Sequence, residues 1–256
     1  MKHAYTFAPF LALFALVTAN AAAQDFAPKV RNDPRRFESP QNFAFELRLG
    51  SYRPSVDSEP ALKGATPYKN TFGESASLYV GFEFDWQALR IPYFGTVGPG
   101  VAIGYMDNTT TAPFKVPRID GSPSGSQTGL EIFPAQVLGV VRADALWREW
   151  GIPVVPYFKA GLGLARWRAY DDSGTSSSSA GLPAKGSVYG YYVAGGAAVN
   201  LNIFDRYTAR NFDLRMGVNN TYVFFEVYTS SLTSAFKGKP LYAGTTNWTA
   251  GLMFEF

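Results

Sequence analysis

The sequence predicts an all-β protein: a transmembrane, antiparallel, up-and-down β-barrel of eight strands after a cleaved signal peptide. Three observations predict it. Apolar residues alternate with polar or small ones in eight segments, the period of two that belongs to strands and not to helices. The segments between them alternate long and short, as in transmembrane barrels with long loops outside and short turns inside. After Ala23 no apolar run approaches the ~20 residues of a membrane helix. A chain that spans lipid without such helices needs a closed barrel, in which every strand N–H and C=O finds a partner.

The chain starts with Met1-Lys2, a strongly apolar run from Phe7 to Val17, and the small residues Ala19 to Ala23. This is the pattern of a Sec-type signal peptide, with cleavage expected after Ala23 and Ala21 as the alternative. Residues 24–42 are polar and rich in Pro and Arg, and are read as a periplasmic lead-in. The barrel is read over 43–256. His3, the single histidine, lies in the removed segment, and the chain has no cysteine. The processed chain then has no disulfides, no thiolate metal sites and no chemistry that needs imidazole or thiolate. No metal and no cofactor is expected. Charged residues make up 17% of the chain, against about 25% in ordinary domains. The net charge of +3 is too weak and dispersed to argue for nucleic acid.

The first strand is read at 43–52, with Phe43, Phe45, Leu47 and Leu49 on one face and Glu46 and Arg48 on the other. The second, 75–86, sets Val80, Phe82, Phe84 and Trp86 against Glu83 and Asp85. The third, 97–106, carries Val101, Ile103 and Tyr105 on its apolar face. The fourth, 132–146, sets Phe133, Val137 and Val141 against Gln136, Arg142 and Asp144. The fifth, 155–167, sets Phe158, Leu162 and Leu164 against Lys159, Gly161 and Gly163. The sixth covers 187–204. The seventh is read over 212–228, where Leu214 and Met216 share one numbering parity and Val223 and Phe225 the other. A bulge near Asn219-Asn220 would keep both sets on one side. The eighth ends the chain, with Trp248, Ala250, Leu252, Phe254 and Phe256 on one face.

The bulky parity is almost free of charge over about ten residues per strand, the length that crosses a membrane at a tilt. That face is assigned to lipid. A soluble barrel of the lipocalin kind would bury it instead. The lumen is expected to hold Glu46, Arg48, Glu83, Asp85, Arg142, Asp144, Lys159, Arg215 and Glu255. Acid and base nearly balance there, which favours mutual pairing that fills the lumen over a selectivity ring of one sign. Aromatic girdles are expected at the two interfaces. Trp86, Trp147, Trp150, Trp167 and Trp248 are assigned to them. Tyr52, Tyr68, Tyr170, Tyr189, Tyr228 and Tyr242 are placed near the long-loop side.

Thr249-x-Gly251-x-x-Phe254-x-Phe256 resembles the barrel-insertion signal of bacterial outer-membrane proteins. Pro156-Tyr157-Phe158-Lys159-Ala160-Gly161-Leu162-Gly163 is similar to a strand motif of small barrels of the OmpA transmembrane-domain, opacity-protein and OmpW-like superfamily. The resemblance covers 42–256 and implies a porin-like outer-membrane protein of a Gram-negative cell envelope. No peptidoglycan-binding domain of the OmpA type is expected beside the barrel. The implied partners are outer-membrane lipid, the barrel-assembly machinery and periplasmic chaperones, with the barrel as a monomer and its surface ligand unnamed. The functional expectation is a non-enzymatic barrel with a structural or surface-interaction role. The alternative is a narrow channel for small or amphipathic solutes.

Overall fold

The computed structural model describes residues 41–111, 127–172, 174–175, 184–235 and 241–256. The signal peptide read at 1–23 and most of the lead-in at 24–42 lie outside the described residues. Eight long strands build the wall: β1 (Phe43–Tyr52), β2 (Ser77–Trp86), β3 (Gly95–Thr111), β4 (Gln127–Arg142), β5 (Val154–Asp171), β6 (Lys185–Asn200), β7 (Asn220–Ala235) and β8 (Thr245–Glu255). Each pairs antiparallel with its sequence neighbours, and β8 returns to β1. The closing seam runs from Ala44 opposite Glu255 to Gly50 opposite Thr249. Backbone hydrogen bonds between Phe43 and Phe256, 2.7 and 3.0 Å long, finish it. Closure leaves no sticky edge, so the apolar last strand has a partner on both sides.

The wall is not level. β3 to β7 have 16 to 18 residues, whereas β1, β2 and β8 have 10 or 11. The extra length lies at the long-loop end. There the β1–β2 connection folds inward and carries the short helix α1 (Pro67–Phe72). The Asp57 carboxylate accepts from the Tyr68 and Lys69 backbone N–H groups at 2.7 and 2.9 Å, which caps α1. This seats the Tyr68 ring in the mouth of the barrel, where its hydroxyl accepts from Asn108 Nδ2 at 2.8 Å. The Tyr52 hydroxyl donates to the Ala243 carbonyl from the same layer.

Two short-turn connections are helical, and both correct the sequence reading. The fourth strand ends at Arg142 and not at 146; Ala145–Trp150 forms α2, closed by Gly151 at φ 71°. The seventh strand does not begin at 212. Residues Arg206–Met216 form α3, capped by Asp205, whose side chain accepts from the N–H groups of Tyr207 and Thr208. Gly217 ends α3 at φ 71°, a left-handed conformation that glycine adopts without a Cβ clash. The parity change between Met216 and Val223 is therefore a helix-to-strand boundary and not a bulge. The register shift among the long strands lies on β6, between Tyr189 and Gly190. The sixth strand likewise ends at Asn200, followed by a 3-10 turn over Leu201–Ile203.

Candidate functional site

The interior is filled in layers. The middle layer is charged. Lys159, from β5, places its Nζ 2.8 Å from Glu46, 2.5 Å from Glu83 and 3.1 Å from Glu226. Arg48 bridges Glu83 and Glu226. It also donates to the Tyr192 hydroxyl at 3.0 Å and to Thr249 Oγ1 at 3.3 Å. Arg142, from β4, donates to Glu46 at 2.8 Å and to Asp85 at 2.5 Å.

Register explains why these groups need one another. Glu46 and Glu83 are direct cross-strand neighbours on β1 and β2. Like charges at that spacing destabilise a sheet, and Lys159 lies between them. β3 contributes no charge to this layer. Its inward residues, Gly100, Ala102 and Gly104, leave the space that the long charged side chains occupy; a Cβ on Gly100 would fall 2.0 Å from Asp85 Oδ1.

Towards the long-loop mouth the filling turns apolar and aromatic. Tyr52, Tyr68, Tyr79, Met106, Ile132, Val188 and Leu232 form one buried cluster. A space between the two layers is lined by Arg48, Tyr52, Tyr79, Gln136, Tyr192 and Tyr228. It is about what one water molecule needs. At the short-turn mouth, Glu255 accepts from the Tyr222 hydroxyl at 2.7 Å and from Gln87 at 2.8 Å. Asp144 is the N-cap residue of α2 and pairs with Arg90 at 3.0 Å and Arg148 at 3.6 Å. Burial pushes its carboxyl above the usual range, and Arg90 opposes that shift.

The outer surface reverses the usual order. Leu162 and Val137 are each 63% exposed, while Lys159 and Glu46 are 0% exposed. The exposed apolar belt passes through every strand, with Leu49, Phe82, Ile103, Phe133, Leu164, Tyr191, Phe225 and Leu252 among its members. Burying charge while exposing bulky apolar side chains is stable only where lipid covers the outside. The chain folds as a transmembrane β-barrel. No helix among the described residues is long and apolar enough to cross a membrane.

No protein-family profile matches the barrel, and no curated protein matches its sequence. Solved structures of small outer-membrane barrels are similar to it. The attachment invasion locus protein Ail of Yersinia pestis is 10% identical, covering 86% of this chain and 99% of its own, with a TM-score of 0.43. Neisserial surface protein A is 13% identical over 85% of this chain and 98% of its own, at 0.45. OprG from Pseudomonas aeruginosa is 10% identical over 86% and 97%, at 0.47. The transmembrane assignment rests on the barrel's own geometry.

The barrel brings together Glu46, Arg48, Glu83, Asp85, Arg142 and Lys159 in one layer. Asp144 and Glu255 lie apart from it, at the short-turn mouth. Arg215 is a correction: it lies exposed in the last turn of α3, outside the lumen. Glu226 is central to the layer and absent from the expected set. It sits between the lipid-facing Phe225 and Val227, so its parity pointed inward; the misplaced start of the seventh strand hid it. Glu46, Glu83 and Asp85 bring carboxylate oxygens within 4.8 Å of one another. Lys159 and Arg142 supply the positive charge there, which makes this an ion-paired cluster.

The aromatic assignments divide. Trp86 keeps the outward parity of Phe82 and Phe84, Trp150 is exposed on α2, and Trp248 is exposed and stacks on Phe225 at 6.0 Å. Trp147 and Trp167 do not belong to an outer girdle. Trp147 packs against the buried Tyr157, Tyr222 and Met253 group, and Trp167 against the apolar layer at the other mouth. Tyr52, Tyr68 and Tyr228 are likewise buried inside. At a barrel mouth an amphipathic ring has two suitable places, the lipid interface and the lumen rim. In the C-terminal segment, Thr249 is buried beside Arg48. Phe254 faces out opposite Phe45, and Phe256 meets Phe43 and Phe84. Gly251 is required by close approach, since a Cβ there would lie 1.8 Å from the Leu47 carbonyl oxygen.

Proposed function

We propose that the protein is a non-enzymatic outer-membrane barrel of a Gram-negative envelope, exported by its N-terminal signal peptide and inserted through its C-terminal segment. Its role is structural or one of surface interaction, exercised through the long loops, with the lumen filled by paired charges. The observation that carries this reading is the stacking of two closed layers. The ion-paired layer at Lys159 and the aromatic layer at Tyr52, Tyr68 and Tyr79 lie one above the other across the lumen. An eight-stranded barrel has an interior that side chains can fill, and these two layers support that reading over an open pore.

The same layers argue against catalysis. A general acid or base must reach its substrate, whereas Glu46 and Glu83 are buried and held by Lys159. Outer-membrane lipid is the proposed permanent partner, with the assembly machinery and periplasmic chaperones as transient ones. The test is twofold. Folded protein in detergent should run differently on a gel before and after boiling, and planar-bilayer recordings should show no reproducible unit conductance. Steady conductance altered by Arg48→Ala would establish the narrow-channel reading instead.

A further inference from the structure

We propose that Arg166, Arg168 and Lys185, on the outer wall at the long-loop end, hold the phosphate of an acylated lipid whose chains lie against Phe133, Leu164 and Tyr189. The inference rests on the outer-membrane reading and adds a specific site to it. Register places the three cations together. Arg168 is directly opposite Lys185 across β5 and β6, and Arg166 is one outward step below, opposite Ser187. Outward neighbours along a strand are about 7 Å apart and direct cross-strand partners about 5 Å. One phosphate is within reach of all three flexible side chains.

Two like charges directly opposite each other are unfavourable. One acid offsets this pair: Glu131, from β4, accepts from Arg168 at 3.0 Å. The next outward acid, Asp107 on β3, is engaged by the Tyr170 hydroxyl at 2.9 Å. Arg166 and Lys185 are exposed, with no side-chain partner among the described residues. The Tyr170 hydroxyl is neutral, so both acids count: three cations face two carboxylates, an excess of one positive charge on this stretch of wall, on the side of Arg166 and Lys185 away from Asp107.

Its height identifies the ligand. Arg166 follows Leu164 on the outward face of β5 and lies opposite Phe133 on β4; Leu164 lies opposite Tyr189 on β6. All three neighbours belong to the exposed belt. Cations standing at the rim of a lipid-facing belt meet headgroups, and the group that satisfies them carries negative charge directly above acyl chains. Arginine suits phosphate through its planar fork. A phosphorylated lipid fits both halves of the surface, while a free anion would use only the upper half.

Binding of bisphosphorylated lipid A to the purified full-length barrel in neutral detergent, read by native mass spectrometry, tests this. The variant Arg166→Ala with Lys185→Ala spares the Arg168–Glu131 pair. It should lose roughly tenfold to thirtyfold in affinity, from about 1 kcal/mol per basic residue near a charged lipid surface. Arg210→Ala with Arg215→Ala, on α3 at the opposite end, should bind as the native protein does. Equal loss in both variants, undiminished binding in the first, or equal binding of dephosphorylated lipid A would overturn the site. Competition by inorganic phosphate as strong as by lipid A would reduce it to an anion site without a lipid. Boiling-dependent gel mobility of the same samples reports the barrel separately, so loss of the site and loss of the membrane reading give different results.

Discussion

Lys159 and Glu226 meet 3.1 Å apart in the middle of the barrel, on strands that are not neighbours, and neither side chain reaches solvent. The pair ties β5 to β7 through the lumen. It also ties both to β1 and β2, because Lys159 bridges Glu46 and Glu83. Removing one member of such a buried group leaves its partners charged and uncompensated. Lys159→Met should therefore destabilise the barrel by about 3–5 kcal/mol, measured by urea unfolding in lipid vesicles. Glu226→Leu should cost less, because Arg48 and Lys159 keep Glu83. The double variant should be more stable than the sum of the two single losses implies; strict additivity would mean the two residues do not interact.

On the outside, Leu162 and Val80 are exposed apolar residues. Arginine at either position should cost about 2–4 kcal/mol if it lies near the bilayer midplane. The same unfolding experiment in lipid reads this. Variants as stable as the native protein would show that this face does not meet hydrocarbon.

Tyr79 lies over two glycines that face each other across β2 and β3, Gly81 and Gly104. A Cβ on Gly104 would come 2.3 to 2.5 Å from the Tyr79 ring. Gly104→Val should push the ring out of the aromatic layer and destabilise by about 1–3 kcal/mol. Adding Tyr79→Ser should remove the clash. Failure of that second change to relieve the effect of the valine would locate the problem in the backbone instead.

Tyr68 is the plug contributed by the β1–β2 connection. Tyr68→Ala should raise amide hydrogen exchange over 53–76 and leave β4 to β7 as protected as before, because opening of the connection breaks no strand pairing. Faster exchange throughout the barrel would mean that the plug helps to hold the wall.

Asp205 gives a pH-dependent helix start. The Thr208 backbone N–H and hydroxyl, and then the Tyr207 N–H, hold its carboxyl below the usual range. A carboxyl depressed in the folded state contributes its stabilisation above its unfolded pKa and loses it as the pH falls through the lower folded value. Protection of the Tyr207 and Thr208 amides should therefore decline in acid, and Asp205→Ala should remove it at neutral pH. Asp205→Asn should retain most protection without the acid dependence.

Alternation alone yields eight strands, the closing seam and the lipid-facing set at mid-strand; it fails at the mouths, where Leu214 and Met216 lie on α3 and Trp147 and Trp167 pack inward. Alternation is a local property: whatever the rest of the molecule does, neighbours in a strand point to opposite sides, so Leu162 and Lys159 are assigned from their own surroundings. Glu226 was legible in the same way, between Phe225 and Val227, once the start of its strand was right.

Which lumen charges meet depends on the assembled barrel. Parity says that Arg142 and Glu46 point inward, but tilt and stagger of the strands set the height at which each enters. They bring Arg142 beside Glu46 and Asp85 while leaving Glu255 to Tyr222 and Gln87. The mouths were the least legible part. There the chain leaves the strand period, a cap such as Asp205 outweighs a short alternation, and the apolar place offered to Tyr68 or Trp147 is built by residues far away in sequence.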